Sequence, residues 1–284
     1  MTALAVLLTS RLATIWVGSS LQQPVATTRD GSLITLNRYV GEPPPDIVLV
    51  GSSVTWRLKE EYFATPGVRN LALAGGSPVT SLEIIAKQRG LPKVVLIETN
   101  VLSRGVDRAL VERFTAARSD ALFLRPVRTA IAAYETWNHA PPGPELARAV
   151  QRDLIREGPS RFDNRVYVER ALKEMNAGDP IEPARENVAL IKGLIADIER
   201  RGARALLIEI PFSPEIEGSR FVRVTKNIVH GAFPDPNRWL PVDPPSAELR
   251  WADGVHLDER SALIVVRSIE EALSTQSRGS RRPD

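Results

Sequence analysis

Short apolar runs alternate with one-sided helical patterns along most of this chain. Asp46-Ile47-Val48-Leu49-Val50 is rich in β-branched residues and stops at Gly51-Ser52-Ser53, as a buried strand does before a tight turn. Val54 to Phe63 has helical character, and Val68 to Leu73 forms a second short run ending in Ala74-Gly75-Gly76. Ser81 to Gln88 carries Leu82 and Ile85 on one helix face with Gly90 just past its end, and Lys93 to Glu98 predicts a third strand. Asn187 to Arg201 repeats Val188, Ile191, Ile195 and Ile198 on one face and stops at Gly202, after which Ala203 to Ile210 predicts a fourth strand. A short fifth strand is expected around Trp239 to Val242, weakened by Pro241, which has no N–H to give to a ladder. The last helix spans Glu259 to Leu273, with Asp258 as its N-cap.

Strands alternating with helices at this spacing predict βαβ units. The expected fold is therefore α/β, with a parallel five-stranded sheet covered on both faces and ligands at the strand C-termini. Residues 46–273 form this domain. The stretch 101–186, between the third and fourth strands, is far longer than one crossover helix requires and is expected to be a helical insertion. Its apolar positions (Val111, Phe114, Leu122, Leu124, Ile131) suit helices broken by Pro126 and Pro141-Pro142-Gly143-Pro144. Its aromatics Tyr134, Trp137, Phe162 and Tyr167 are expected to pack as a cap beside the site. Residues 1–45 are taken as an apolar segment followed by a linker from Gln22 to Pro45, and residues 274–284 as a disordered basic tail. Within residues 1–20, Met1 to Ser10 and Leu12 to Val17 are apolar around Arg11, without a basic start. This leaves two options open, membrane association or export and an ordinary packed helix.

Composition narrows the chemistry. The 284 residues are 43% hydrophobic and 25% charged, a globular average with enough length for a sizeable core. The absence of cysteine excludes disulfides, thiolate zinc sites, iron–sulfur clusters and a Cys nucleophile. Most of the net charge of +3 sits in the tail, where Arg278, Arg281 and Arg282 outnumber Asp284. No run of Lys and Arg interleaved with aromatics lies elsewhere, so a nucleic-acid partner is not expected.

Four segments could carry chemistry. A serine in Gly51-Ser52-Ser53 would hold its hydroxyl at the sheet edge next to a helix N-terminus, although the same position suits an ordinary N-cap. In Asp253-Gly254-Val255-His256, an acid three residues before a histidine can accept the Nδ1 proton and fix the tautomer, or simply close a turn. His139 and His230 lie in the insertion and a long loop, without an acid at that spacing. Asn70 to Gly76 and Glu98-Thr99-Asn100 stand at strand ends, where a glycine N–H and an asparagine amide could join the nucleophile's own N–H in an oxyanion hole.

The order of these four segments resembles the four blocks of the SGNH, or GDSL, hydrolase family, over about Asp46 to Asn100 and Ala203 to Leu273. The resemblance implies a flavodoxin-like three-layer α/β/α fold and a serine esterase with no cofactor and no metal. It matches Ser53 to the nucleophile, His256 to the base, Asp253 to its orienting acid, and the Ser53 N–H with Gly75 and Asn100 to the oxyanion donors. The implied substrate is a small-molecule or carbohydrate ester, most plausibly an O-acyl group on a carbohydrate. The alternatives are an O-acyltransferase using the same triad and a catalytically idle scaffold component of an envelope assembly. Two departures stand out. Gly-Ser-Ser replaces the family's Gly-Asp-Ser, a variant like that of branches linked to bacterial polysaccharide acylation, which implies the periplasm or membrane association over the cytoplasm. Glu98 replaces the third block's glycine, with Val101 where the aspartate would be. A carboxylate close to a developing oxyanion is unhelpful, and strand alternation would allow the Glu98 side chain to turn away from the site.

Overall fold

The computed structural model describes residues 28–116 and 144–279, with a few isolated positions near the N-terminus. Tyr134, Trp137, His139 and most of the 1–20 segment lie outside the described residues. Strand β1 (Ile47–Val50) pairs with β2 (Val68–Asn70) on one side and β3 (Val94–Glu98) on the other, and β4 (Arg204–Ile208) follows β3. The order is β2-β1-β3-β4 and every pairing is parallel. After β2 the chain stays beside β1, with Leu71 N–H donating to Leu49 O and Leu73 N–H to Gly51 O.

Both faces of the sheet are dry. Val48, Val50, Val95 and Ile97 face one core, covered by α1 (Thr28–Gly41), α3 (Pro78–Lys87), α4 (Arg108–Thr115) and α7 (Ile181–Arg200). Leu49 and Leu96 face the other, under α2 (Ser53–Trp56), α8 (Pro214–Glu217) and α10 (Glu259–Gly279). The helix α9 (Arg220–Ala232) serves both, through Phe221 and Val222 on one side and Val229 on the other. As expected, Asp258 caps α10, accepting from Ser261 N–H at 2.8 Å.

Four expectations change. The fifth strand reduces to one parallel bridge between Leu207 and Trp239, because Pro241 has no N–H with which to extend it. Part of the expected linker is α1, which buries Leu36 and Tyr39 completely or nearly so. Leu33, Leu36 and Val40 already carry the one-face spacing that marks it. Residues 274–279 of the expected disordered tail belong to α10, which runs to Gly279, and residues 280–284 lie outside the described residues. The insertion is built into both cores rather than set apart. Leu110, Val111 and Phe114 of α4 join the first, while Leu154 and Ile155 of α5 (Pro144–Arg156) and Leu172 of α6 (Arg165–Asn176) pack on the second. Of the aromatics expected to pack as a cap, Phe162 and Tyr167 are instead exposed, with their rings 6.0 Å apart.

Asn187 ties the insertion to the sheet. From α7 its buried amide donates to Leu102 O at 2.6 Å and Arg104 O at 2.9 Å, just past β3. Asn187→Ala leaves those carbonyls unpaired, which should cost about 1–3 kcal/mol and lower the melting temperature by several degrees in a domain of this size. Thermal unfolding followed by circular dichroism checks this, and an unchanged midpoint would contradict it.

Candidate active site

Two adjacent serines divide the work at the end of β1. Ser52 is the N-cap of α2, its hydroxyl accepting from Val54 N–H at 3.2 Å. This frees the half-buried Ser53, whose hydroxyl donates to His256 Nε2 at 2.8 Å across 203 positions of sequence. The helix is a single turn, so it offers individual N–H groups rather than a summed dipole. Asn70 holds that turn from β2, its amide donating to Thr55 O and Leu58 O, both at 2.8 Å.

The histidine stands on a tightly closed loop. Ala252 N–H donates to His256 O, and Trp251 bridges Leu257 in antiparallel fashion. Within the loop, the Asp253 Oδ1 accepts from Val255 N–H at 3.0 Å and His256 N–H at 2.8 Å, while Oδ2 accepts from His256 Nδ1 at 2.7 Å. Accepting at Nδ1 keeps the proton there and leaves Nε2 as the acceptor that faces Ser53. Gly254 takes φ +83°, and a Cβ there would meet Ile216 Cγ1 at 2.9 Å and Ser213 Oγ at 3.0 Å. The loop is also held from outside, by Asn164 Nδ2 donating to Trp251 O at 2.7 Å and by Val168 of α6 packed on Gly254. The insertion thus reaches the candidate site by bracing the loop that carries His256 and Asp253.

The candidate oxyanion donors occupy the ends of the strands flanking β1. Gly75, beyond β2, has φ +75° and open space around it, and its N–H makes no hydrogen bond to a described residue. Asn100, beyond β3, is buried and clasped to Ile210, accepting from its N–H at 2.8 Å and donating to its carbonyl at 2.6 Å. This fixes the amide plane and leaves one N–H of Nδ2 beyond the clasp. Neither residue hydrogen-bonds to Ser53. The direct contacts join only Ser53, His256 and Asp253.

Glu98 does not turn away from this region. It shares its side of β3 with Val94 and Leu96, the side on which α2 lies, so alternation aims it beneath the serine turn. Its Oε2 accepts from Ser52 N–H at 2.6 Å, Ser52 Oγ at 2.8 Å and Thr55 Oγ1 at 3.1 Å, and its Oε1 accepts from Val101 N–H at 3.0 Å. Complete burial pushes the Glu98 carboxyl above its ordinary value, against the pull of those four donors. Gly51 makes the room, since a Cβ there would lie 2.5 Å from Thr55 Oγ1 and 2.7 Å from Glu98 Oε2. Sequence reasoning missed this bracket, along with the Asn70 clasp. The available signal was parity with Leu96.

His230 belongs to α9, not to a loop, and is paired with Glu209 at 2.8 Å and stacked on Trp239. Among the described residues no group of three or more His, Asp or Glu side chains converges as metal ligands would.

Burial alone would raise the Asp253 carboxyl. The hydrogen bonds from the His256 ring and N–H, its charge and the Val255 N–H prevail and hold it below its ordinary value. A carboxyl lowered by folding contributes stability that is present above its unfolded value of about 3.9 and is lost as pH falls through the folded value. The gap in melting temperature between wild type and Asp253→Asn should therefore shrink between pH 7 and pH 3. A gap that stays constant or widens would contradict this assignment. Neither a protein-family model nor a curated protein matches the chain, which leaves the geometry of Ser53, His256 and Asp253 as the ground for its chemistry.

Proposed function

We propose that the chain is a serine esterase of the SGNH type, with a flavodoxin-like arrangement of its sheet, acting on an O-acyl group of a carbohydrate. One observation carries this reading, the unbroken chain of hydrogen bonds from Ser53 Oγ to His256 Nε2 at 2.8 Å and from His256 Nδ1 to Asp253 at 2.7 Å. Such a chain activates an otherwise weak nucleophile. His256 Nε2 takes the hydroxyl proton as Ser53 Oγ bonds to the ester carbonyl carbon, and Asp253 stabilises the imidazolium. The developing oxyanion is met by the Ser53 N–H, the Gly75 N–H and the outer N–H of Asn100. His256 returns the proton to the departing alcohol, leaving an acyl-Ser53 ester. Water, giving a proton to His256, then bonds to the acyl carbon, and His256 returns that proton to Ser53 Oγ as the acid leaves. An O-acyltransferase would differ only in using an alcohol for that second attack. The 24% exposure of the His256 side chain and 32% of Asp253 leaves the pair accessible from outside.

The carbohydrate part of the reading draws on a cleft of about 510 Å³ lined in part by residues that follow Ser53 and His256 in the chain, and not by the triad side chains themselves. Trp56, Arg57 and Lys59, just after Ser53, and Leu257, Asp258 and Glu259, just after His256, are among its lining residues. Trp56 is 49% exposed, an aromatic face set among guanidinium and carboxylate groups able to hydrogen-bond hydroxyls.

A fluorophosphonate probe should label Ser53 in wild type and leave Ser53→Ala unlabelled, with His256→Ala labelled slower by orders of magnitude. Labelling at another residue, or equal rates in His256→Ala, would replace the esterase reading with that of an idle domain. Trp56→Ala should lower kcat/KM on acetylated glucose about 2- to 10-fold, and by less on p-nitrophenyl acetate. An equal effect on both esters would remove the indole from sugar recognition.

A further inference from the structure

We infer that Glu98 is a positioning residue, a buried carboxyl that sets the distance between the nucleophile turn and the oxyanion strand. The inference rests on the esterase reading of Ser53 and extends it to a residue that touches no reacting atom. One oxygen of Glu98 holds the turn from both sides of Ser53, through Ser52 N–H and Oγ before it and Thr55 Oγ1 after it. The other holds Val101 N–H, immediately after Asn100. A single rigid carboxyl plane therefore links the residue proposed to attack the carbonyl carbon with one proposed to receive its oxygen. The two lie just beyond the ends of neighbouring parallel strands, β1 and β3, and the ladder between those strands ends at Val50 and Ile97. Beyond that point, Glu98 supplies the bonds that tie the two segments together.

The environment fits a brace better than a reacting group. Glu98 is fully buried, none of its four partners is a triad side chain, and no ion pair to it occurs among the described residues. Asn100 is clamped separately to Ile210. With Asn100 held toward β4 and Val101 held on the carboxyl that also grips the serine turn, the oxyanion amide has little freedom to drift. Small errors in such placement are costly, because a misplacement of about 1 Å can slow a reaction about 100-fold. Gly51 is part of the same device, since any side chain there would occupy the carboxyl's seat.

Glu98→Gln tests this. The amide keeps the shape, but wherever its NH2 group is placed it faces a backbone N–H, that of Ser52 or that of Val101, and one link is lost. The expected result is a fall of about 10- to 100-fold in kcat on p-nitrophenyl acetate, with KM little changed, after normalising to fluorophosphonate-titrated sites. A residue that only stabilised the fold would lower the titratable fraction and the melting temperature without changing the rate per titrated site. Thr55→Val removes one donor to Glu98 without changing the volume, and should slow the reaction per site. Thr55→Ser, which retains the donor, should recover more of the rate than Thr55→Val. This pair decides the matter if Glu98→Gln does not fold. Rates per titrated site equal to wild type, in Glu98→Gln or in Thr55→Val, overturn the positioning role alone. Failure of the wild-type protein to hydrolyse the ester or to be labelled at Ser53 overturns the esterase reading, and the positioning role with it.

Discussion

A carboxyl group with no exposed surface must find its hydrogen bonds where it stands, and the donors that Glu98 collects belong to the turn that carries Ser53. An unpaired buried carboxyl would be costly enough to disrupt the end of a parallel sheet. Four donors remove that cost, and they also dictate local geometry. Ser52 must present both its N–H and its hydroxyl, Thr55 must turn its hydroxyl inward, and Gly51 must lack a side chain. The sharp exit from β1, the one-turn helix and the outward placement of the Ser53 hydroxyl are compatible with one another around this single group.

The other half of the site depends on packing at long range. His256 and Asp253 form a self-contained unit, because three hydrogen bonds within the loop set their mutual geometry. Its position over Ser53 depends on neighbours. Ser213 N–H donates to Gly254 O at 2.9 Å, Trp251 Nε1 donates to Pro211 O at 2.9 Å, and Asn164 reaches in from the insertion. The segment following β4 and the helix α6 thereby hold the loop against the sheet edge. The insertion is part of the scaffold of the site, and through Leu110, Val111 and Phe114 it is also part of the first core.

Much of the architecture is legible in local patterns. A strand buried on both faces is written as a near-continuous apolar run, and β1 and the Val94–Ile97 part of β3 are such runs. The Asp253–His256 spacing is equally local, since four residues contain the whole turn. What escaped was written more faintly. The one-face pattern of α1 is interrupted by Arg38 and other polar positions between Leu33, Leu36 and Val40. The strand around Trp239 to Val242 has suitable residues but loses its ladder at Pro241. Tyr167, expected to pack in a cap beside the site, stands exposed because the face of α6 that meets the core runs through Val168, Leu172 and Met175, and Phe162, ahead of that helix, is exposed beside it.

The sequence by itself determined the alternation of strands and helices, the parallel sheet, and the Gly-Ser-Ser and acid–histidine turns, because each depends on residues within one or two turns of chain. Tertiary structure alone decided how Ser53 and His256 meet, what surrounds Glu98, and how the insertion bears on the site. Those outcomes depend on which face of β3 is turned toward α2 and on side chains as far apart as Asn164 and Trp251 meeting in space. A hydrogen bond between residues 203 positions apart leaves no spacing in the sequence to be read. It exists because the parallel sheet gathers the ends of its strands at one edge.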